Sequence, residues 1–308
     1  MKRIALASIL FMACGGSKKD PPKQPDPPAG DTPMAGDPAS EKKMEAPAPP
    51  DTGGAKMITG VAAVTWAPLD PSNAAGPQLA VLHGDPKSGG AFFLKLPAGM
   101  KSGLHTHTAD YHAVVVSGAP KHFLAGGDAK AKPLAAGSYW FQPGGQPHGD
   151  ECSGKDDCVL YLVMTGGFDF TPTPKAKPDK AGAYKLVARG DMKFVPMDPK
   201  QPNGMKASFV FGNPAKPEPV GFVIEVPPKG NSGLHSHTSN YHALVIDGQP
   251  AHWQPHEANE GTPVDVGAYW YQPGGYDHGD RCLSDKPCRA FVFMEKMLDF
   301  KPGAATKK

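Results

Sequence analysis

The 308-residue chain predicts an all-β fold, two tandem β-sandwich barrels behind an unfolded N-terminal stretch. Three observations carry this. After the first dozen residues no apolar pattern of period 3.6 is sustained. Glycine (37) and proline (36) exceed ordinary usage, which favours turns and short strands. The apolar residues fall in short segments, and the segments recur as a set. With 39% hydrophobic residues the chain can bury a substantial core. Lys+Arg and Asp+Glu nearly balance (32 against 30) and no basic stripe interleaves with aromatics, so no nucleic-acid partner is expected.

The N-terminus opens with Lys2 and Arg3, then the apolar run Ile4 to Met12, then Ala13-Cys14-Gly15-Gly16-Ser17. The run is too short to span a bilayer and has the layout of a secretory signal. With Cys14 at the cleavage point it resembles a bacterial lipoprotein signal, with Phe11 standing where leucine is usual. The resemblance implies a signal peptide over 1–14, lipidation of Cys14, and a lipid anchor as the only membrane contact. Gly15 after the cysteine resembles outer-membrane sorting in a cell with two membranes. The expected location is the cell envelope, with the folded part periplasmic or extracellular.

Residues 15–57 hold almost no large apolar groups, and ten of the thirty residues from Pro21 to Pro50 are proline. Such a segment buries too little surface to fold and reads as an extended tether.

Beyond it the chain repeats at a spacing of 130 residues: SGLHTHTADYHAVVVSG from 102 recurs as SGLHSHTSNYHALVIDG from 232, and AGSYWFQPGGQPHGDEC from 136 as VGAYWYQPGGYDHGDRC from 266. Strands are expected at 91–96, 112–116, 139–142 and 158–164, with counterparts at 221–226, 242–246, 269–272 and 288–294. Several carry apolar residues on both faces, which suits strands sandwiched between layers. The domains are placed at 58–172 and 181–302.

His105 and His107, two apart, project from one face of a strand, and two imidazoles there can chelate an ion. His148 follows a tight Pro143-Gly144-Gly145 turn. HxH in the first segment and G-x5-P-x-G-x2-H in the second resemble the two motifs of the cupin superfamily, here in duplicate with His235, His237 and His278. The resemblance covers roughly 60–170 and 188–300, and implies two cupin barrels (double-stranded β-helix, or jelly roll), a bicupin, each with a divalent metal in its mouth.

The family's glutamate ligand is missing. Counting forward from His107 places His112 at that position, and counting back from Gly118 places Tyr111; neighbours on a strand face opposite ways. Ser117 and Asp247 share parity with Tyr111 and Tyr241, which favours tyrosine, whereas imidazole is the better ligand for borderline metals. His112 and His242 are taken as the third ligands, with Tyr111 and Tyr241 as the alternative. An all-imidazole site adds no negative charge and suits Zn, Fe, Ni or Cu, one divalent ion per barrel.

His122 and His252 are candidates to orient a ligand ring or act as a general base, with an ordinary strand position the plainer reading. Asp150 and Asp280 could orient His148 and His278, a turn role being simpler. His83 and His256 have no counterparts and read as surface. Cys152 with Cys158, and Cys282 with Cys288, are expected as disulfides in an exported chain. On the strand before the Pro-Gly-Gly turn, Tyr139 alternates with Trp140 and Tyr269 with Trp270, so one face is core and the other can line a pocket.

Two functions follow: a cupin-type metal-dependent oxygenase acting on a small organic molecule, or a module that binds or senses a metal or small ligand at the envelope. No G-x-S-x-G motif is present, and no G-x-x-x-x-G-K followed by the Ser or Thr that a phosphate-cradling loop needs.

Overall fold

The computed structural model describes residues 54–178, 182–257 and 261–303. The signal segment, Cys14 and nearly all of the tether lie outside the described residues. What is described is all-β, with three short 3-10 turns at Val61–Ala63, Asp128–Lys130 and Arg189–Asp191. The fold is cupin-type: each repeat builds a seven-stranded antiparallel sheet that faces a smaller layer.

In the first large sheet the strands run 185–187, 139–142, 111–117, 158–164, 89–96, 78–85 and 67–68 from edge to edge. The second runs 56–58, 269–272, 241–247, 288–294, 220–226, 206–211 and 195–196. Across the first barrel lies a four-stranded sheet of 171–172, 105–106, 148–152 and 120–124. Its counterpart is two strand pairs, 235–236 with 301–302 and 250–253 with 279–282, joined by a bridge between His235 and His278.

The repeats exchange strands. Lys56–Ile58, which precedes the first repeat, pairs with Tyr269–Gln272 of the second sheet, and Lys185–Val187 pairs with Tyr139–Gln142 of the first. Boundaries at 58 and 181 therefore do not separate two self-contained sheets.

Each large sheet has two buried faces. Along 111–117, Val114 and Val116 face the other repeat and join Tyr139, Phe141, Tyr161, Leu244, Ile246, Tyr269 and Phe291 in one shared core. Tyr111, Ala113 and Val115 face the opposite way, into the first barrel with Trp140, Leu160 and Leu162. Tyr241, Ala243, Val245 and Trp270 do the same in the second. The disulfides Cys152–Cys158 and Cys282–Cys288 form, with Cα separations of 5.7 and 5.5 Å. Loops this short contribute about 2 kcal/mol each by chain entropy, so their main effect is to fix the strand ends beside His148 and His278.

The alternation corrects the third-ligand expectation. His112 and His242 have the parity of Val114 and Leu244 and lie in the shared core, not in the barrels. His112 is 2% exposed, bonds the Tyr139 hydroxyl through Nδ1 at 2.7 Å, and is walled by Phe141, Phe211 and Phe293 with ring centroids 5.0, 4.5 and 4.6 Å away. His242 bonds the Tyr269 hydroxyl at 2.8 Å and the Glu295 carboxylate at 3.1 Å. His83, expected at the surface, is half-buried in this layer and stacks on Tyr271 at 3.9 Å, whereas His256 is exposed.

Burial pushes His112 from the usual 6.5 to about 3, so it is neutral in the fold. The unfolded chain then holds more protons between those values; stability is intact above the upper one and falls as pH drops toward the lower. In denaturant titrations of the metal-free chain, the double variant His112→Phe, Tyr139→Phe should lose less stability on acidification, by about 1.4 kcal/mol per pH unit within that window. Equal slopes in the two proteins would contradict a neutral buried His112.

Candidate metal centres

His105 and His148 sit directly opposite one another where the strands 105–106 and 148–152 pair, and their ring centroids are 4.3 Å apart. His107 lies just past its strand, 4.9 Å from His105 and 5.2 Å from His148. The second barrel repeats this at 4.4, 4.9 and 5.3 Å for His235, His237 and His278. In each trio one nitrogen per ring lies within 4.8 Å of the others. The Pro-Gly-Gly turn locks the two motifs together: Gly145 N–H donates to the His107 carbonyl at 2.7 Å. A side chain on Gly144 would meet the Thr108 carbonyl oxygen at 2.3 Å, so the turn can approach only as glycine.

All six rings are oriented the same way. Nδ1–H of His105 donates to the Gly103 carbonyl at 3.0 Å, that of His148 to Gln146 at 2.9 Å, and that of His107 to Asp169. His235, His278 and His237 repeat this with the carbonyls of Gly233, Tyr276 and Asp299. A carbonyl only accepts, so each Nδ1 carries the proton and each Nε2 keeps a lone pair for an ion. His278 Nε2 is buried with no hydrogen-bond partner among the described residues, as suits a nitrogen that would ligate an ion. Burial lowers His148 and His278 to about 3, which keeps them in the neutral form that ligates. The residues present fit a divalent ion.

Tyr111, not His112, faces the first cluster: its hydroxyl lies 3.2 Å from His148 Nε2 and receives Trp140 Nε1–H at 3.5 Å. Tyr241 takes the same place, bonded to Trp270 at 3.2 Å. Neither site is free of negative charge. Asp150, expected in a turn, lies on the strand with Oδ2 3.7 Å from His105 Nε2 and Oδ1 2.8 Å from His122 Nδ1. Burial alone would raise its pKa, but the charge and hydrogen bond of His122 hold it well below the usual carboxylate range. Gln142 donates its amide to the carbonyls of Pro143 and Gln146, which aims Oε1 at His122 Nε2, 3.1 Å away. Both nitrogens of His122 thus face oxygen atoms, one of Asp150 and one of Gln142. His252, Asp280 and Gln272 repeat the chain at 2.9 and 3.2 Å. His122 and His252 are therefore supports beneath the cluster, 5.2 Å from His148 and His278 by ring centroid.

Sequence reasoning passed over the segments FDFTP (168–172) and LDFKP (298–302), whose signal is their recurrence at the same spacing of 130. Besides the carbonyls given above, Asp169 and Asp299 supply a carboxylate that accepts the backbone N–H of Thr108 at 2.9 Å and of Thr238 at 2.8 Å. Phe170 and Phe300, 50% and 56% exposed, stack on His105 and His235 at 4.4 and 4.7 Å. Asp169→Ala should loosen the His107 clamp and weaken zinc at the first site about tenfold, a loss typical of groups that orient a ligand. Competition titration against a zinc indicator checks this, and unchanged affinity would leave Asp169 without that role.

Similar solved structures share the fold at low identity. A candidate dioxygenase from Nostoc punctiforme superposes with a TM-score of 0.64 at 14% identity, over 82% of this chain and 87% of that one. Oxalate decarboxylase from Lactobacillus farciminis, in a formate complex, gives 0.53 at 14% identity over 80% and 88%. The Bacillus subtilis oxalate decarboxylase, a protein with Mn(II) centres, gives 0.52 at 12% over 80% and 78%. The comparison with curated proteins found no match. Residues 58–300 match the family described as a domain of unknown function, DUF4437, and the chain belongs to that family.

Proposed function

We propose that this chain is an exported bicupin metalloprotein that holds one divalent ion per barrel and presents the first to a small organic molecule, as a cupin-type oxygenase does. One observation carries the reading: in each barrel three imidazoles are fixed through Nδ1 to backbone carbonyls with Nε2 turned toward a common point. Imidazole donors suit Zn, Fe, Ni or Cu, and the manganese of the Bacillus neighbour adds Mn. A bound ion would supply Lewis acidity and, where the metal is redox-active, electron transfer. The chain's own residues hold the site rigid: Tyr111 offers a hydroxyl at its edge, and the Asp150–His122 pair supports it from below.

The candidate dioxygenase among the neighbours, and a pocket beside the first cluster, support a reactive rather than a purely structural site. Two disulfides suit an oxidising compartment and support export. Lipid anchoring rests on Cys14 and the segment before it. Among the described residues no helix is long and apolar enough to cross a membrane.

Metal analysis of the mature protein should give about two ions per chain, with three or more imidazole nitrogens on each. His105→Ala with His148→Ala should remove one ion, and adding His235→Ala with His278→Ala the other. His112→Phe should remove none. Retention of both ions in the quadruple variant would defeat the proposal. For the reaction itself, iron-loaded protein should consume oxygen with acetylacetone faster than the first-site variant does; equal traces would argue for a binding module.

A further inference from the structure

The first barrel opens beside His105, His107 and Tyr111 into a pocket. Its wall is built from inward-facing positions of the large sheet and the segment after it: Leu94, Leu96, Leu160, Leu162, Met164 and Phe168. Phe170 forms the exposed lip. Among the described residues no lysine or arginine lines it, and apart from the histidines its two ionisable lining groups are Asp150 and Tyr111.

The polar groups there are already engaged. Asp150 is bonded to His122, Ser102 Oγ donates to the Gly103 carbonyl at 2.8 Å and accepts Asp150 N–H at 2.9 Å, and the Tyr111 hydroxyl sits between His148 and Trp140. A ligand therefore finds polar contact only at the imidazole end, and apolar side chains elsewhere. A dicarboxylate with its carboxylates at opposite ends could turn one toward that end, but the other would be buried among leucines with no cation or free donor among the described residues, which is strongly unfavourable. A molecule with a single carbonyl or hydroxyl at one end and hydrocarbon at the other satisfies every wall.

We propose that this pocket takes an uncharged, largely apolar small molecule with one polar end directed at the histidine cluster, and that it discriminates against dicarboxylates charged at both ends. The polar end's destination rests on the metal-site reading above; the apolar wall does not. Phe170 packs the hydrocarbon part at the lip and is a specificity-determining position.

The test uses fluorine NMR titrations of the mature, disulfide-intact protein with two probes, 4-fluoroacetophenone and tetrafluoroterephthalate. Each is run after metal removal by chelation and again after zinc loading, with zinc content measured on the same samples. The ketone should bind in both states, and the dicarboxylate should bind at least about tenfold more weakly in both. Phe170→Asp should weaken the ketone about fivefold or more, and Phe170→Ala by less, because the first variant adds a charge to an apolar lip. Val195→Asp, at an exposed apolar position on the outermost strand of the second sheet, should leave ketone binding unchanged and thereby exclude general surface uptake. Dicarboxylate binding as tight as the ketone's, no ketone binding, or equal weakening by Phe170→Asp and Val195→Asp would each overturn the proposal. If zinc fails to bind while the ketone does, the metal reading falls and the pocket stands; if two zinc ions bind while the dicarboxylate wins, the reverse holds.

Discussion

In each half of the molecule a large sheet is buried on both faces, and side chains alternating along its strands decide which face receives which chemistry. Tyr111 and Tyr241 point into the barrels, where they meet the imidazoles. His112 and His242, one residue on, point into the layer that the two halves share. A one-residue change of register would place tyrosine in the aromatic layer and histidine at the cluster, so the identity of the site is inseparable from how the halves pack.

The sites themselves rest on main chain. Six backbone carbonyls hold the six Nδ1 atoms, so ring orientation depends on the path of the loops at 103, 146 and 169 and their counterparts. Side-chain supports are added where the backbone does not reach: Asp150 and Gln142 fix His122, which lies flat against Trp140 at 4.7 Å. The layer between the halves is less symmetric. His112 is enclosed by Phe141 and Phe211, whereas His242 meets Tyr271, His83 and Glu295, so one half carries an apolar contact where the other carries a polar one.

Much of this was legible in the chain because duplication doubled every signal. The strands at 139–142 and 158–164, and their second-half partners, follow the expected bounds, since aromatic and β-branched runs between glycine and proline turns leave few alternatives. The third position was misjudged for a definite reason. Parity with Ser117 pointed to Tyr111, but ligand chemistry was given more weight, although a residue cannot ligate from the wrong side of a strand. Asp169 and Phe170 lie in no recognised ligand motif: Asp169 acts on His107 through its main-chain carbonyl and on Thr108 N–H through its carboxylate, and Phe170 acts through a ring face. His83 gave no hint of burial because its partner Tyr271 lies in the other half.

The exchange of the short strands at 56–58 and 185–187 ties the halves together, since each is finished by a piece from the other's doorstep. Neither half could now be released by a cut near residue 180 without losing its outermost strand and baring an open row of backbone donors and acceptors, ready to recruit a stranger.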